Sequence, residues 1–391
     1  GGQFDGNVTM AGTLAVTGAT TLSSNLSVDG GTIKLDGNFP TGTNNIALGN
    51  SALSGGSLSG GFNVAIANNA LSSNTSGGSN IAIGSSALSS NTTADKNIGI
   101  GESNLASTTT GGSNVSIGDD VMYANTTGSN NVAIGGDALE NNTTASNNTA
   151  VGYQALDANT TGAKNTAIGK SSLGLNTTGT LNVASGQDAL GANTTGSNNT
   201  ANGYRALYLN TTASNNTAVG YQASYSGTTA YHNVSVGYQS LYSLVSGGQN
   251  VAIGYQSLYA NTGDNNLAIG QNTLDANTSG SANVAIGNNA LGANTTATYN
   301  TAVGYEAGLA ITTGIQNTIL GEEAGKSNQT GIGNTFIGSD CGYSTTGGRN
   351  SFFGKNSGES VTSGTKNTIL GSYSGNQGNL DIRTSSNNVV L

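Results

Sequence analysis

A short phrase, Asn-x-small-aliphatic-Gly, returns along this chain at a nearly constant step. Its asparagine stands at positions 45, 63, 80, 97, 114, 131, 148, 165, 182, 199, 216, 233, 250, 266, 283, 300, 317, 334, 350 and 367. That makes twenty copies, and every step is 16, 17 or 18 residues. A fixed short period marks a solenoid, in which each unit is too small to bury a core alone and must stack on its neighbours. Disorder needs no register, so the period argues against it even though only 7% of the 391 residues are charged and 62 are glycine. A collagen helix is excluded too, because there is one proline, Pro40, and no Gly-X-Y triplet.

Counting from the anchor asparagine as position 1, position 2 is Val, Ile, Leu or Thr and position 4 is Ile, Val or Leu in most copies. Alternation of this kind marks a strand with positions 2 and 4 on one face. Position 5 is Gly in every copy but that of Ala67, as suits a corner needing positive φ or close approach. Position 9 is Leu in most copies as far as Leu291, a third apolar anchor. Asn-Thr-Thr-Gly or a variant then closes the coil with turn-forming residues. Helix is improbable for a unit filled with β-branched residues, Asn and Gly. The expected fold is all-β: a parallel β-roll or β-solenoid of about twenty coils, one per repeat.

Position 3 is Ala or Ser in most copies, as in Ala133, Ala150, Ala167 and Ala184. It becomes bulky towards the end as Ile319, Phe336, Phe352 and Ile369. With positions 2 and 4 assigned to the chain's own core, position 3 points the other way. A strand apolar on both faces must cover both. Three aliphatic side chains per coil also leave a lone, thin solenoid short of burial. These eight residues are therefore expected to line the interface of an oligomer about a common axis, its chains either intertwined or side by side. The enlargement at position 3 coincides with a switch of position 9 to Gly308, Gly325, Gly342, Gly358 and Gly375, which reads as apolar volume moving from each chain's core towards that axis. The expected organisation is an N-terminal shaft or cap of short strands over 1–40, a main array over 41–304, a second block over 305–375 and an end segment over 376–391. In the end segment Asn388-Val389-Val390-Leu391 looks like one further anchor. The chain opens on Gly1 rather than Met, so its start is expected to have been removed.

Composition excludes several functions. A net charge of −9 with no cluster of Lys and Arg does not suit nucleic acid. No apolar run approaches the roughly 20 residues that span a bilayer. One cysteine, Cys341, cannot make an intrachain disulfide. No cofactor or metal is expected, since the repeats lack the Gly-Gly-x-Gly-x-Asp spacing of calcium-binding rolls.

The repeat Asn-Val-Ala-Ile-Gly, at 131–135, 250–254 and 283–287, resembles the head repeat of trimeric autotransporter adhesins. The Tyr-Gln-Ala-Leu and Asn-Thr-Thr-Gly-Ser-Asn-Asn phrases are similar to those of phage tail-fibre proteins. The resemblance covers roughly residues 45–375. It implies a left-handed parallel β-roll, three chains about one axis with the small residue facing it, and a fibre ending that a chaperone domain trims after assembly. The unit here is longer than the usual adhesin unit, so a longer outer loop is expected. This sequence contains no heptads or membrane anchor, so the phage-like form is the one expected. The implied function is a structural, adhesive, extracellular fibre of a virion or cell surface that attaches to a host surface receptor, with polysaccharide one candidate class. A bacterial or archaeal surface adhesin or filament subunit is the alternative.

No catalytic constellation assembles around the single histidine, His232, which sits where other copies carry Asn, Lys or Gln. Cys341 fits a small buried slot. The carboxylate pairs Asp119/Asp120 and Glu322/Glu323 read as solvated turn charges. Tyrosine is distributed unusually: positions 6 and 10 are both Tyr in four consecutive copies, giving Tyr204/Tyr208, Tyr221/Tyr225, Tyr238/Tyr242 and Tyr255/Tyr259. Stacked coils would align these into two external rows beside Gln222, Gln239 and Gln256. Such rows either stiffen the rod by self-stacking or bind sugars on their faces. Asn-x-Ser/Thr sequons at Asn125, Asn142, Asn159, Asn176, Asn193, Asn210, Asn277 and Asn294 serve either as turn chemistry or as glycan acceptors. A threonine lattice for ice is disfavoured, because the paired threonines are adjacent.

Overall fold

The computed structural model describes residues 44–55 and 58–391; the expected N-terminal shaft over 1–40 lies outside them. Each copy of the anchor phrase forms a three-residue strand at positions 2–4. These run from β1 (Ile46–Leu48) through equivalent segments in every coil to β20 (Thr368–Leu370). Each pairs in parallel with the strand of the next coil, position for position, as in Thr149↔Thr166, Ala150↔Ala167 and Val151↔Ile168. A final strand, β23 (Val389–Val390), pairs with β20, so Asn388 does open one more rung. The sheet therefore holds 21 strands. The longer step before Asn388 accommodates an antiparallel hairpin of β21 (Asn376–Gln377) and β22 (Leu380–Asp381). The rest of each coil is turn, with no helix among the described residues.

Glycine at position 5 sits at φ of about 112–142°, for example 134° at Gly152. A β-carbon there would stand 2.7 Å from the Gly169 carbonyl carbon of the next coil. Both the backbone angle and the stacking distance thus require glycine. Ala67, the exception, is held at φ 102°. Position 9 leucines adopt left-handed backbone, Leu156 at φ 54°, which turns the chain back so that the side chain enters the core.

The core reverses the expectation for the strand. Ala133, Ala150, Ala167 and Ala184 are fully buried within a single chain, as are Ile319, Phe336, Phe352 and Ile369. Position 3 points inward, across the coil from positions 8 and 9; where both slots are serine, Ser224 and Ser235 hydroxyls meet at 2.8 Å. Positions 2 and 4 face out instead: Ile168 is 46% exposed and Leu320 46%. The reason is width. Two left-handed corners make a narrow coil, and opposite a leucine only a small residue fits. Alternation shows that positions 2 and 4 share a face, but not which face is the inner one.

The second block follows from the same geometry and corrects the expected shift of volume towards an axis. Where position 9 becomes glycine, its left-handed backbone persists, with φ of 57–65° at Gly308, Gly325, Gly342 and Gly358. The freed space is filled from position 3. A β-carbon on Gly342 would stand 2.9 Å from three atoms of the Phe336 ring, and one on Gly358 2.3 Å from Cδ2 of Phe352. Phe336 and Phe352 stack at 5.3 Å. Apolar volume moves from one side of the same core to the other.

Two ladders of buried asparagine bind coil to coil. At position 1, each Oδ1 accepts the backbone N–H of the next anchor, and Nδ2 donates, in the 17-residue coils, to the carbonyl at position 15. For Asn148 these are the Asn165 N–H at 2.9 Å and the Gly162 carbonyl at 3.0 Å. At position 12, Asn142 Nδ2 donates to Asn125 Oδ1 at 2.9 Å and to the Ala145 carbonyl at 3.1 Å. Such ladders satisfy groups that a narrow, water-free interior would otherwise orphan.

Candidate functional site

The side of the coil from position 6 to position 11 carries the most varied chemistry. Here the structure brings the eight tyrosines together as two stacks. At position 6 successive rings from Tyr204 to Tyr255 lie 5.4, 5.1 and 5.2 Å apart, with interplanar angles of 19°, 6° and 8°. At position 10, Tyr208 to Tyr259 repeat the same spacings. Between the rows, Gln239 Nε2 donates to Gln222 Oε1 at 2.9 Å, and Gln256 to Gln239 at 3.1 Å. Near-parallel rings at the coil repeat cover one another's faces, so a sugar meets mainly their edges. Burial, then the neighbouring tyrosines, hold the Tyr242 phenol above its usual range.

The ladder also spans a break in the apolar core. One buried cluster ends at Ala223 and the next begins at Ala230, and between them position 9 is Ser224. Stacked aromatics stiffen the outside where the apolar core is broken, which suits a mechanical role for the inner rings.

Below Tyr204 and Tyr208, towards lower residue numbers, both rows stop. Arg205 Nε bonds Asp188 at 3.2 Å, and its guanidinium carbon sits 5.1 Å from the centroids of both end rings. Beneath lies a notch of about 260 Å³ lined by Gln154, Asp157, Ser171, Gly174, Leu175, Asp188, Gly191 and Tyr208. Sequence reasoning missed it. The available signal was the pair of glycines at position 10, directly before the tyrosine run. Burial pushes the Asp157 carboxyl up, partly offset by its hydrogen bond from Asn141. Burial and then Asp157 raise Glu140.

A second, open groove of about 440 Å³ lies at the position 13–17 corner of the second block, between Ile332, Arg349 and Lys366. At position 10 of the second block, Lys326 bridges Glu306 at 2.6 Å and Glu323 at 3.0 Å. Those two hydrogen bonds hold the ammonium above its normal range, and Lys326 draws Glu306 below its own.

The remaining candidates fall apart chemically. His232 is exposed and lies edge-on to Tyr231 at 5.4 Å. Cys341 is buried, donates to the Phe352 carbonyl at 3.2 Å, and is pushed up to about 12 by burial. Asp119, Asp120 and Glu322 are exposed. No group of three or more His, Cys, Asp or Glu among the described residues is arranged to hold a metal. All eight sequon asparagines are fully buried in the position 12 ladder, so their side chains are inaccessible to glycan transfer in the folded chain. Threonine hydroxyls at position 13 are spent along the rod, Thr143 donating to the Thr160 carbonyl at 3.1 Å. Among the described residues no helix is long and apolar enough to cross a membrane.

The strand face is a continuous surface along the sheet. It presents mostly aliphatic and threonine side chains at positions 2 and 4, interrupted by Ser185, Asn202 and Ser351, with Ile134, Val183, Val219, Ile253 and Leu370 among its exposed members. No family model matches this chain, and no curated protein is significantly similar to it.

Proposed function

We propose that this chain is the non-catalytic repeat shaft of an adhesive extracellular fibre, a homotrimer of side-by-side solenoids that attaches a virion to a host surface. The observation that carries the proposal is the exposed apolar strand face. Its position 2 and 4 side chains lie outside the coil, where a soluble rod would otherwise place polar residues, and position 4 is Ile, Val, Leu or Phe in every coil but those of Ser185 and Asn202. A strip about 10 Å wide and roughly 95 Å long amounts to on the order of 950 Å² per chain, beyond the ~800 Å² per partner of a standard interface. Side-by-side packing suits this face better than intertwining, since every strand pairs with the next coil of its own chain. The number three rests on the resemblance to trimeric fibres.

Attachment, with surface polysaccharide as the leading receptor class, is supported by the shape and by the composition. A rod of stacked coils, closed by internal ladders and poor in charge, offers a protease little unpaired backbone and keeps its outer side free for contact. The test is binding of fluorescently labelled protein to a panel of bacterial and archaeal cells, with their surface polysaccharides stripped in parallel. The expected result is saturable decoration of some strains, lost on stripping. Absence of binding across the panel would sink attachment.

A further inference from the structure

Position 10 changes character along the rod: Glu140, Asp157, Gly174, Gly191, Tyr208 and then the rest of the ladder. Neither Gly174 nor Gly191 takes a positive φ, so the backbone does not demand glycine there. The preceding coils carry Glu140 and Asp157 in the same slot. Two successive losses of a side chain open the notch beneath Tyr208. A β-carbon on Gly191 would stand 3.0 Å from Cε2 of Tyr208, and one on Gly174 3.2 Å from the Ser171 carbonyl.

The chemistry around that space is specific. Tyr208 is the end ring of its stack, with Tyr225 over one face at 5.4 Å and no ring beneath the other. Asp157 and Asp188 supply carboxylate acceptors, and Gln154 and Ser171 an amide and a hydroxyl. Arg205 bonds Asp188 and holds its guanidinium over part of the Tyr208 ring, 5.1 Å from the centroid, without joining the notch wall. An aromatic face beside carboxylate and amide groups matches a pyranose, whose C–H face packs on the ring while its hydroxyls donate to the acceptors.

We propose that this notch is a binding subsite for one neutral pyranose residue of a surface polysaccharide, stacked on Tyr208 and hydrogen-bonded by Asp157 and Asp188. The proposal deepens the attachment reading and rests on it for its biological setting. Asp157 and its neighbour Glu140 disfavour uronic and sialic acids, since like charges repel in a half-enclosed space, whereas Asp188 is already paired with Arg205. The interior rings of the ladder contribute rigidity and not sugar contact, as their faces are already occupied.

The test uses the full chain with a panel of neutral hexose and N-acetylhexosamine oligosaccharides, and with oligogalacturonate and sialyllactose as acidic controls. Saturation-transfer NMR and calorimetry read the binding. At least one neutral oligosaccharide is expected to bind, with transfer strongest at one sugar ring. Gly174→Glu, which restores the side chain that coil 131–147 carries, and Tyr208→Ala should each weaken binding by about tenfold or more. Tyr242→Ala, inside the ladder, should leave it within about twofold. Failure of every neutral sugar, preference for the acidic controls, or unchanged binding by a folded Gly174→Glu variant would each overturn the site. Cell binding that survives Gly174→Glu overturns the notch and spares attachment. Sugar binding in solution without any cell binding does the reverse.

Discussion

Restoring the repeat's most common residue at position 9 of the second block should damage the protein. Gly358 shares its left-handed backbone with the leucines of the main array, φ 65° against 54° at Leu156, so backbone strain does not forbid leucine. The obstacle is Phe352, two of whose ring carbons would lie 2.3 and 2.4 Å from the new β-carbon. Carbon atoms rest about 3.5–4.0 Å apart. Phe352 is fully buried and stacked on Phe336, so it has nowhere to swing. Gly358→Leu should therefore cost at least the ~1–3 kcal/mol typical of overpacking. Phe352→Ala should cost about 3–5 kcal/mol through the cavity it leaves. The double variant recreates the Ala150/Leu156 arrangement of the main array. Its cost should fall below that of Phe352→Ala alone, leaving roughly 1 kcal/mol for the lost ring stacking. The implied coupling is about 3 kcal/mol or more in the compensating direction. A solenoid this long need not unfold as one unit, so the assay is hydrogen exchange resolved to peptides spanning 334–375. Additive costs, or a neutral Gly358→Leu, would mean that positions 3 and 9 do not share a core.

Three further outcomes follow from the internal ladders and corners. Asn165→Ala removes the acceptor of the buried Asn182 N–H at 2.9 Å and a donor to the Gly179 carbonyl at 2.8 Å. It should cost about 2–4 kcal/mol, seen as lost exchange protection on either side of that coil. Ala67→Gly relieves the φ of 102° at the one corner without glycine and should raise local stability by about 1 kcal/mol; a loss of protection across 63–84 would refute the strain. Cys341, with its thiol pushed up to about 12, should resist alkylation at pH 8 in the native protein and react promptly in denaturant. The folded chain holds that proton more tightly than the unfolded one. The thiol's contribution is therefore complete below the unfolded value of about 8.5 and lost as pH rises towards 12, so stability should decline on the alkaline side.

The repeat step, the strand at positions 2–4, its parallel register and the glycine corner were all legible in the sequence, because each is fixed by local rules of period and backbone angle. The inward face was not. Val132 and Ile134 outweigh Ala133 in hydropathy, and hydropathy alone assigns the larger pair to the core. The deciding clue was present in the exchange between positions 3 and 9, where Phe352 appears with Gly358 and Ala150 with Leu156. Side chains that trade volume must meet, so both belong to one interior. The anchor asparagine was visible as a repeat, but its ladder was not, since a buried polar role depends on the carbonyl at position 15 arriving from a turn. The tyrosine rows were readable from spacing. Their mutual occlusion and the notch below Tyr208 needed coordinates, because a pair of glycines in sequence marks a turn as readily as a cavity.

The most direct test of the account is the mass of the folded chain in solution, measured by light scattering across a dilution series. The account predicts three times the single-chain mass of 38.5 kDa. It also predicts dissociation to single chains when Ile134, Ile168 and Ile253 on the strand face are replaced by lysine. A stable 38.5 kDa species in the unaltered protein, its strand face in contact with water at every concentration, would contradict it.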